Sequence, residues 1–298
     1  MDNKTQPKDS VQIKDTIGTR QNTEQAILLL KAQRKLYNKA KNLNNIKFWL
    51  AVVSFTGAVA ILPFWPEYKI YLALLGSGIA SLNYLWLKNK VKANIKQAAR
   101  IQEEFDVLVL NLPDNNSLTG APITREIIHQ FGDNEPNKGL LDWYPDLEET
   151  DPSKATLIAQ RANLVWDWRQ REKYVNWLTI STLLLLLGGI IYGAIQDLSF
   201  RDYLLMVLLP TLPFLLLGIT NIQSHRKVLS RQKFKEKEID KLVNSQKSIP
   251  KETLRSIQDA IYKNRTENAL IPNWMYKLLR KKFQKQMEAT AKSLQNAK

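Results

Sequence analysis

The sequence predicts an all-α membrane protein. Two transmembrane helical hairpins, four spans in all, run on into a helical cytoplasmic domain. Three observations predict this. First, the apolar residues of the 298-residue chain are bunched. They form four stretches near the roughly 20 helical residues that a hydrocarbon core about 30 Å thick requires. Second, these stretches (residues 46–65, 70–87, 175–195 and 203–222) contain no Asp, Glu or Arg, and their one Lys, Lys47, stands at an edge. Buried helices of a soluble core normally keep a polar face. Third, basic residues crowd one side. Lys31, Arg34, Lys35, Lys39 and Lys41 precede the first stretch; Lys88, Lys90, Lys92, Lys96 and Arg100 follow the second; Arg226, Lys227, Arg231, Lys233, Lys235 and Lys237 follow the fourth. The turns PEYK (66–69) and QDLSFRD (196–202) are short and not net basic. Positive charge near span ends stays cytoplasmic, so both termini and the middle segment are placed inside.

The chain accordingly divides into a flexible tail (1–20), a cytoplasmic helix (21–45), a first hairpin (46–87), a cytoplasmic helical segment (88–174), a second hairpin (175–222) and a basic helical tail (223–298). The tail is polar and lacks the apolar run of a cleavable signal. From Gln21, Leu29, Ala32, Leu36, Ala40 and Leu43 repeat at helical spacing, with a break expected near Asn44-Asn45. Ile101, Phe105, Leu108, Val109 and Leu112 repeat the pattern until Pro113 stops it. A short helix follows Pro122, and Asp151 before Pro152 reads as the cap of the next. Beyond the fourth stretch a charged helix runs to about Ser245, a second opens at Pro250 and ends near Lys263, and a third follows IPNW. That last helix is amphipathic and basic, with Met275, Leu278, Leu279, Phe283 and Met287 on one face. It suits either the membrane interface or packing on the cytoplasmic bundle.

Little in the sequence carries chemistry. There is no cysteine, and the two histidines, His129 and His225, have no metal-ligand spacing. No phosphate-binding glycine loop or nucleophile elbow is present. The reading is therefore no enzyme, no metal and no cofactor. Without an ionisable group inside the apolar stretches, an ion-coupled pump is disfavoured. Ser54, Gly57, Ser77, Ser81, Thr179, Ser181, Gly189 and Gly193 are candidates for span packing or a pore lining, although hydroxyls in such helices commonly bond back to their own backbone. Pro210 and Pro213 should loosen the fourth stretch.

The polar pattern just before the third stretch is the sharpest local signal. Gln160, Asn163, Asp167 and Arg171 share one helix face, and a stripe of Arg34 and Tyr37 approaches from the first hairpin. A pair such as Asp167 with Arg34 would tie the hairpins beneath the bilayer. The stripe is either a buried polar clamp or a ligand-binding and signal-coupling site in which Arg34, Arg161 and Arg171 meet phosphate and Trp166 stacks on a base.

QNTEQAILLLKAQRKLYNKAK (21–41), DWYPDLEETDPSKATLIAQRANLVWDWRQREKY (142–174) and IYKNRTENALIPNWMYKLLR (261–280) resemble the SMODS-associated four-transmembrane pore-forming effectors. The resemblance implies a bacterial anti-phage effector that answers a cyclic nucleotide, made by a nucleotidyltransferase encoded nearby, by opening or assembling an inner-membrane pore that arrests or kills the infected cell. The expected partners are a bilayer with an anionic inner leaflet, other copies of the chain (four helices being too few for a wide channel) and a cyclic nucleotide as activating ligand. No specific nucleic acid is expected. The rival reading is a membrane-anchored scaffold or sensor that binds a partner protein through its cytoplasmic helices.

Overall fold

A computed structural model describes residues 15–61, 64–147, 150–245, 248–267 and 269–296. Most of the expected flexible tail, residues 1–14, lies outside the described residues. The rest of that tail is structured. Helix α1 (Ile17–Gln21) is closed by a reciprocal capping box between Thr16 and Thr19, and it buries Ile17. The expected tail thus ends sooner, because a local cap and one apolar anchor suffice to fix a single turn.

The described residues form helices and no strand. After α1 come α2 (Glu24–Ile61), α3 (Lys69–Leu82), α4 (Lys88–Leu110), α5 (Asn116–Thr119), α6 (Arg125–Gly132), α7 (Pro152–Ile195), α8 (Phe200–Tyr203), α9 (Leu209–Val243), α10 (Lys251–Glu267) and α11 (Asn273–Gln295). Helix α2 packs along α4 and α7 along α9, giving two long helix pairs. Helix α10 lies between the pairs against α4 and α7, α11 rests on α7, and α6 rests on α2. The break expected at Asn44-Asn45 is absent: both residues are exposed within continuous α2. Two solvent-facing asparagines cost a helix only their modest propensity deficit.

Sequence punctuation accounts for several helix ends. The Asp151 carboxylate accepts the backbone N–H groups of Ser153 and Lys154, each at 3.1 Å, and so starts α7. Asn111 in the left-handed conformation (φ 52°) ends α4 ahead of Pro113. Pro210 and Pro213 give rise to a specific local change. Residues Leu204–Leu208 form a π-helical segment that α9 continues directly, which accommodates carbonyls that proline cannot partner. A second π segment, Asn83–Leu87, joins α3 to α4. Helix α10 runs four residues past its expected end, to Glu267.

One apolar core fills the charged halves of the long helices. Leu30, Leu36, Ile101, Phe105, Leu140, Leu157, Ile158, Ile239 and Ile257 are buried together, each contributing roughly 1.5–3 kcal/mol of transfer free energy. The other halves are bare. In α7 every buried residue except Gly193 lies at or before Val175, and beyond it Ile180, Leu183, Leu184, Ile190 and Ile195 are exposed. Trp49 and Val53 on α2, Tyr71 and Leu74 on α3, and Leu216 and Ile219 on α9 are exposed as well. Apolar surface on this scale is foreign to water-soluble monomers. Among the described residues one helix, α7, is by itself long and apolar enough to cross a membrane. The second and fourth stretches are divided by the π segments, and the first continues into residues 62–63, outside the described residues.

Small residues let the apolar half of α7 lie close to α8, the π segment Leu204–Leu208 and α9. A Cβ at Gly193 would lie 2.6 Å from Cδ2 of Tyr203, one at Gly189 would lie 3.2 Å from Val207, and one at Gly218 would collide with Thr182. A Cβ at Gly57, by contrast, meets nothing within 4 Å. The hydroxyls of Thr179 and Thr182 bond to the carbonyls of Val175 and Leu178, each at 2.8 Å. Ser81 is exposed and Ser181 half-buried. The side chains of Ser54, Ser77, Pro210 and Pro213 lie outside the described residues.

Gly193→Leu should therefore destabilise the protein by about 1–3 kcal/mol through overpacking, whereas Gly57→Leu should leave stability nearly unchanged. Tryptophan-fluorescence melting of the detergent-solubilised protein reads both.

Candidate functional site

Two carboxylates of α4, Glu103 and Asp106, stand one turn apart and are fully buried. Such acids are tolerated only when paired and hydrogen-bonded, and α10 supplies most of the partners. Arg255 donates to Glu103 at 2.5 Å, and Arg265 to Asp106 at 2.6 Å. The Gln258 amide donates to both acids at 2.8 Å. The phenol of Tyr144 donates to Asp106 at 2.7 Å and accepts from Asn163 of α7 at 2.9 Å. Gln160 of α7 donates to the Leu254 carbonyl at 2.8 Å and to Gln258 at 3.3 Å. Helix α10 is thus a polar wedge tying α4 of one pair to α7 of the other. Burial, then the charge of Asp106, push the Glu103 carboxyl up, against the pull of the arginines. Burial pushes the Tyr144 phenol up as well, followed by the neighbouring Asp106. Burial alone would lower the pKa of Arg265; Asp106 reverses this and holds the guanidinium protonated.

A second polar node lies where α7 and α9 lose their protein cover. Asp167 accepts from Nε and Nη2 of Arg171, the nearest contact at 2.9 Å, and also from the Gln232 amide at 2.5 Å. Arg171 is buried; it meets Nδ1 of His225 at 2.7 Å and the Ala269 carbonyl at 3.0 Å. Burial raises the Asp167 carboxyl pKa, but Arg171 and Gln232 outweigh it and the net shift is downward. Burial, reinforced by Arg171, drives His225 down to about 3. The imidazole is therefore neutral, and its Nδ1 is the acceptor that a guanidinium needs. Nearby Lys41 donates to Asn273 at 2.7 Å, and burial lowers it to about 8. An aromatic cluster marks the same level: Trp177 stacks on Tyr174 and meets the edge of Trp274, with centroids 6.1 and 5.3 Å apart.

Several sequence expectations need correction. Asp167 does not pair with Arg34: a residue on its own helix, Arg171, stands four positions away and reaches it first. Arg34 instead donates to the carbonyls of Lys138 and Gly139. Tyr37 donates to Gln102 of α4 at 3.3 Å, across its own helix pair. Arg161 is occupied by Glu236 and Asp240 of α9. Arg34, Arg161 and Arg171 therefore each engage a different set of partners and form no common phosphate site. Trp166 makes T-shaped contacts with Tyr276 and Phe283, ring centroids 6.3 and 6.4 Å apart. In α11, Met275, Phe283 and Ala291 are buried while Leu278 is 71 % exposed, so the packed face is rotated from the one expected.

Sequence reasoning missed Glu103, Asp106, Arg255, Gln258, Arg265, His225 and Gln232. A usable signal was present: Arg255, Gln258 and Arg265 recur at helical spacing beside Leu254, Ile257 and Ile261, a polar stripe flush with an apolar one.

The pattern of the SMODS-associating 4TM effector domain matches residues 15–294. The chain belongs to that family. It is also similar to a probable CBASS effector molecule of Bacillus cereus (strain VD146), with 30 % identity over 290 residues, covering 90 % of this chain and 94 % of the relative. No solved structure matches. The match to a 4TM domain, together with the bare apolar half of α7, makes the chain a membrane protein.

Two predictions test the wedge and the node. Asp106→Ala strands Arg265 and Tyr144 and should cost about 3–5 kcal/mol of stability, read by chemical unfolding in detergent. The second concerns pH. A histidine held below its unfolded pKa of about 6.5 binds fewer protons folded than unfolded. Its contribution is whole above that value and is lost as pH falls toward 3, by up to about 1.4 kcal/mol per pH unit. Stability should decline from pH 6.5 downward, and His225→Gln, which keeps an acceptor for Arg171, should flatten the decline.

Proposed function

We propose that the chain is a non-catalytic membrane effector of bacterial anti-phage defence. In this reading residues 46–65, 70–87, 175–195 and 203–222 cross the inner membrane as two hairpins, with both termini and the helical body in the cytoplasm. A cyclic nucleotide made after infection changes how the two hairpin stems pack, and several copies then open a pore that arrests or kills the cell.

The observation that carries the reading is the partition of the long helices. Charged halves share one buried core, and uncharged halves expose apolar side chains together. Lipid is the solvent that suits the second set. Family membership and the likeness to a probable CBASS effector supply the biological setting. Charge at the boundary agrees with an anionic inner leaflet. Lys88, Lys90 and Lys92 are exposed, and the Lys90 ammonium sits 3.8 Å from the Trp86 ring centroid. Each well-placed cation contributes about 1 kcal/mol toward such lipid. The mechanical link favoured by the geometry is α10. A ligand shifts an equilibrium only by its differential affinity for two states, and the buried ties of α10 to α4 and α7 are the contacts through which the relative placement of the stems would change.

Proteoliposomes loaded with a self-quenched dye test the proposal. Leakage should be low with protein alone and rise at least tenfold with one member of a panel of cyclic di- and trinucleotides. Equal leakage in every condition would contradict ligand gating, and no leakage in any would favour a scaffold.

A further inference from the structure

Two arginines from different parts of the fold converge on a single backbone carbonyl. Arg34 of α2 and Arg280 of α11 both donate through Nη2 to the Gly139 oxygen, at 3.4 and 3.3 Å, and Arg34 also reaches the Lys138 oxygen at 3.0 Å. Among the described residues neither guanidinium has a carboxylate within ion-pair distance. Tyr276 and, less strongly, Glu135 act in favour of the charged Arg34; Glu135 is itself held by Lys35 at 2.6 Å, and the Arg280 guanidinium lies 5.9 Å from the Tyr276 ring centroid. A carbonyl and an aromatic ring bring only partial charge, so two full positive charges face one another without a paired carboxylate among the described residues. Burial lowers the pKa of Arg34, and Arg280 lowers it further. Lys138, Lys277 and Lys281 are exposed close by in the chain and add to the positive field. The loop is shaped for the approach: Gly139 has φ +68°, and a Cβ there would collide with the Arg280 guanidinium.

We infer that Arg34 and Arg280 form a binding site for the phosphate group of a soluble ligand. Paired guanidiniums match phosphate oxygens by charge-assisted, bidentate hydrogen bonds, and an anion between them converts mutual repulsion into a bridge. The position favours a soluble ligand over a lipid head group. Arg34 precedes the first apolar stretch by twelve residues, about 18 Å along a helix. The site also spans the right parts. Arg34 belongs to the α2–α4 pair, and Arg280 lies on α11, which packs on α7. A phosphate held there would join at the surface the same two pairs that α10 joins inside. This inference rests on the effector reading and supplies its ligand with a location.

The test uses the full-length protein in detergent, titrated with sodium pyrophosphate against sodium chloride at equal ionic strength, with melting temperature as the readout. Pyrophosphate should raise the melting temperature of the unaltered protein. Arg34→Gln and Arg280→Gln should each weaken that response about tenfold or more, while melting no lower than the parent in chloride, because each removes one of two like charges. No response beyond chloride in the parent, or an unchanged response in both variants, overturns the site. Dioctanoyl phosphatidylglycerol forms the lipid arm: a response to it and none to pyrophosphate overturns the soluble ligand in favour of a head group. Phage challenge separates this inference from the effector reading. A parent chain that gives no protection alongside its neighbouring genes defeats the effector reading, whatever the titration shows. Protection that survives in the two variants defeats the site alone.

Discussion

The structure is governed by the unequal surroundings of its long helices. Helix α7, about 66 Å long at 1.5 Å per residue, is packed in protein up to Val175 and almost uncovered beyond it. Helices α2 and α9 divide in the same way, charged and packed at one end, apolar and exposed at the other. A helix of this kind needs two solvents, so the polar body must gather on one side of a boundary. The aromatic contacts of Trp177 with Tyr174 and Trp274 lie at the changeover, where amphipathic rings are at home.

Because each long helix belongs to both regions, any shift in the body is transmitted along a continuous rod. What holds the body together therefore sets what the apolar halves can do. Within each pair, apolar packing does the holding. Between pairs, much of it falls to α10, through Glu103, Asp106 and Gln160. Buried networks of this kind stabilise less than an apolar core would, yet they resist partial disruption, because removing one partner leaves a buried charge exposed to nothing. The paired arginines at Gly139 differ in kind: they are a like-charge contact left open at the surface, where a ligand can act without breaking the core.

The sequence made the long-range plan legible and the polar contacts much less so. Charge-free stretches of about 20 residues, the cap at Asp151, the stop at Pro113 and the start at Pro250 are local signals, and the helices start and end close to them. The face carrying Gln160, Asn163, Asp167 and Arg171 was also readable, since helical spacing fixes it. The partners of that face were not. Asp167 had a nearer arginine on its own helix than the distant Arg34, and periodicity cannot rank such competitors. Acids inside an apolar seam, as Glu103 and Asp106 are, look like solvent-facing residues until a wedge of α10 is seen to cover them. The π segments that divide the apolar stretches have no sequence rule of their own, although Pro210 marks the place of one.

The topology tests the account most directly. The chain contains no cysteine, so single cysteines at Glu67, Leu198, Asp133 and Lys292 can be labelled in intact spheroplasts with a membrane-impermeant maleimide. The account predicts labelling of positions 67 and 198 from outside, and of 133 and 292 only after lysis. Labelling of 133 or 292 in intact spheroplasts, or failure at both 67 and 198 until lysis, would contradict it.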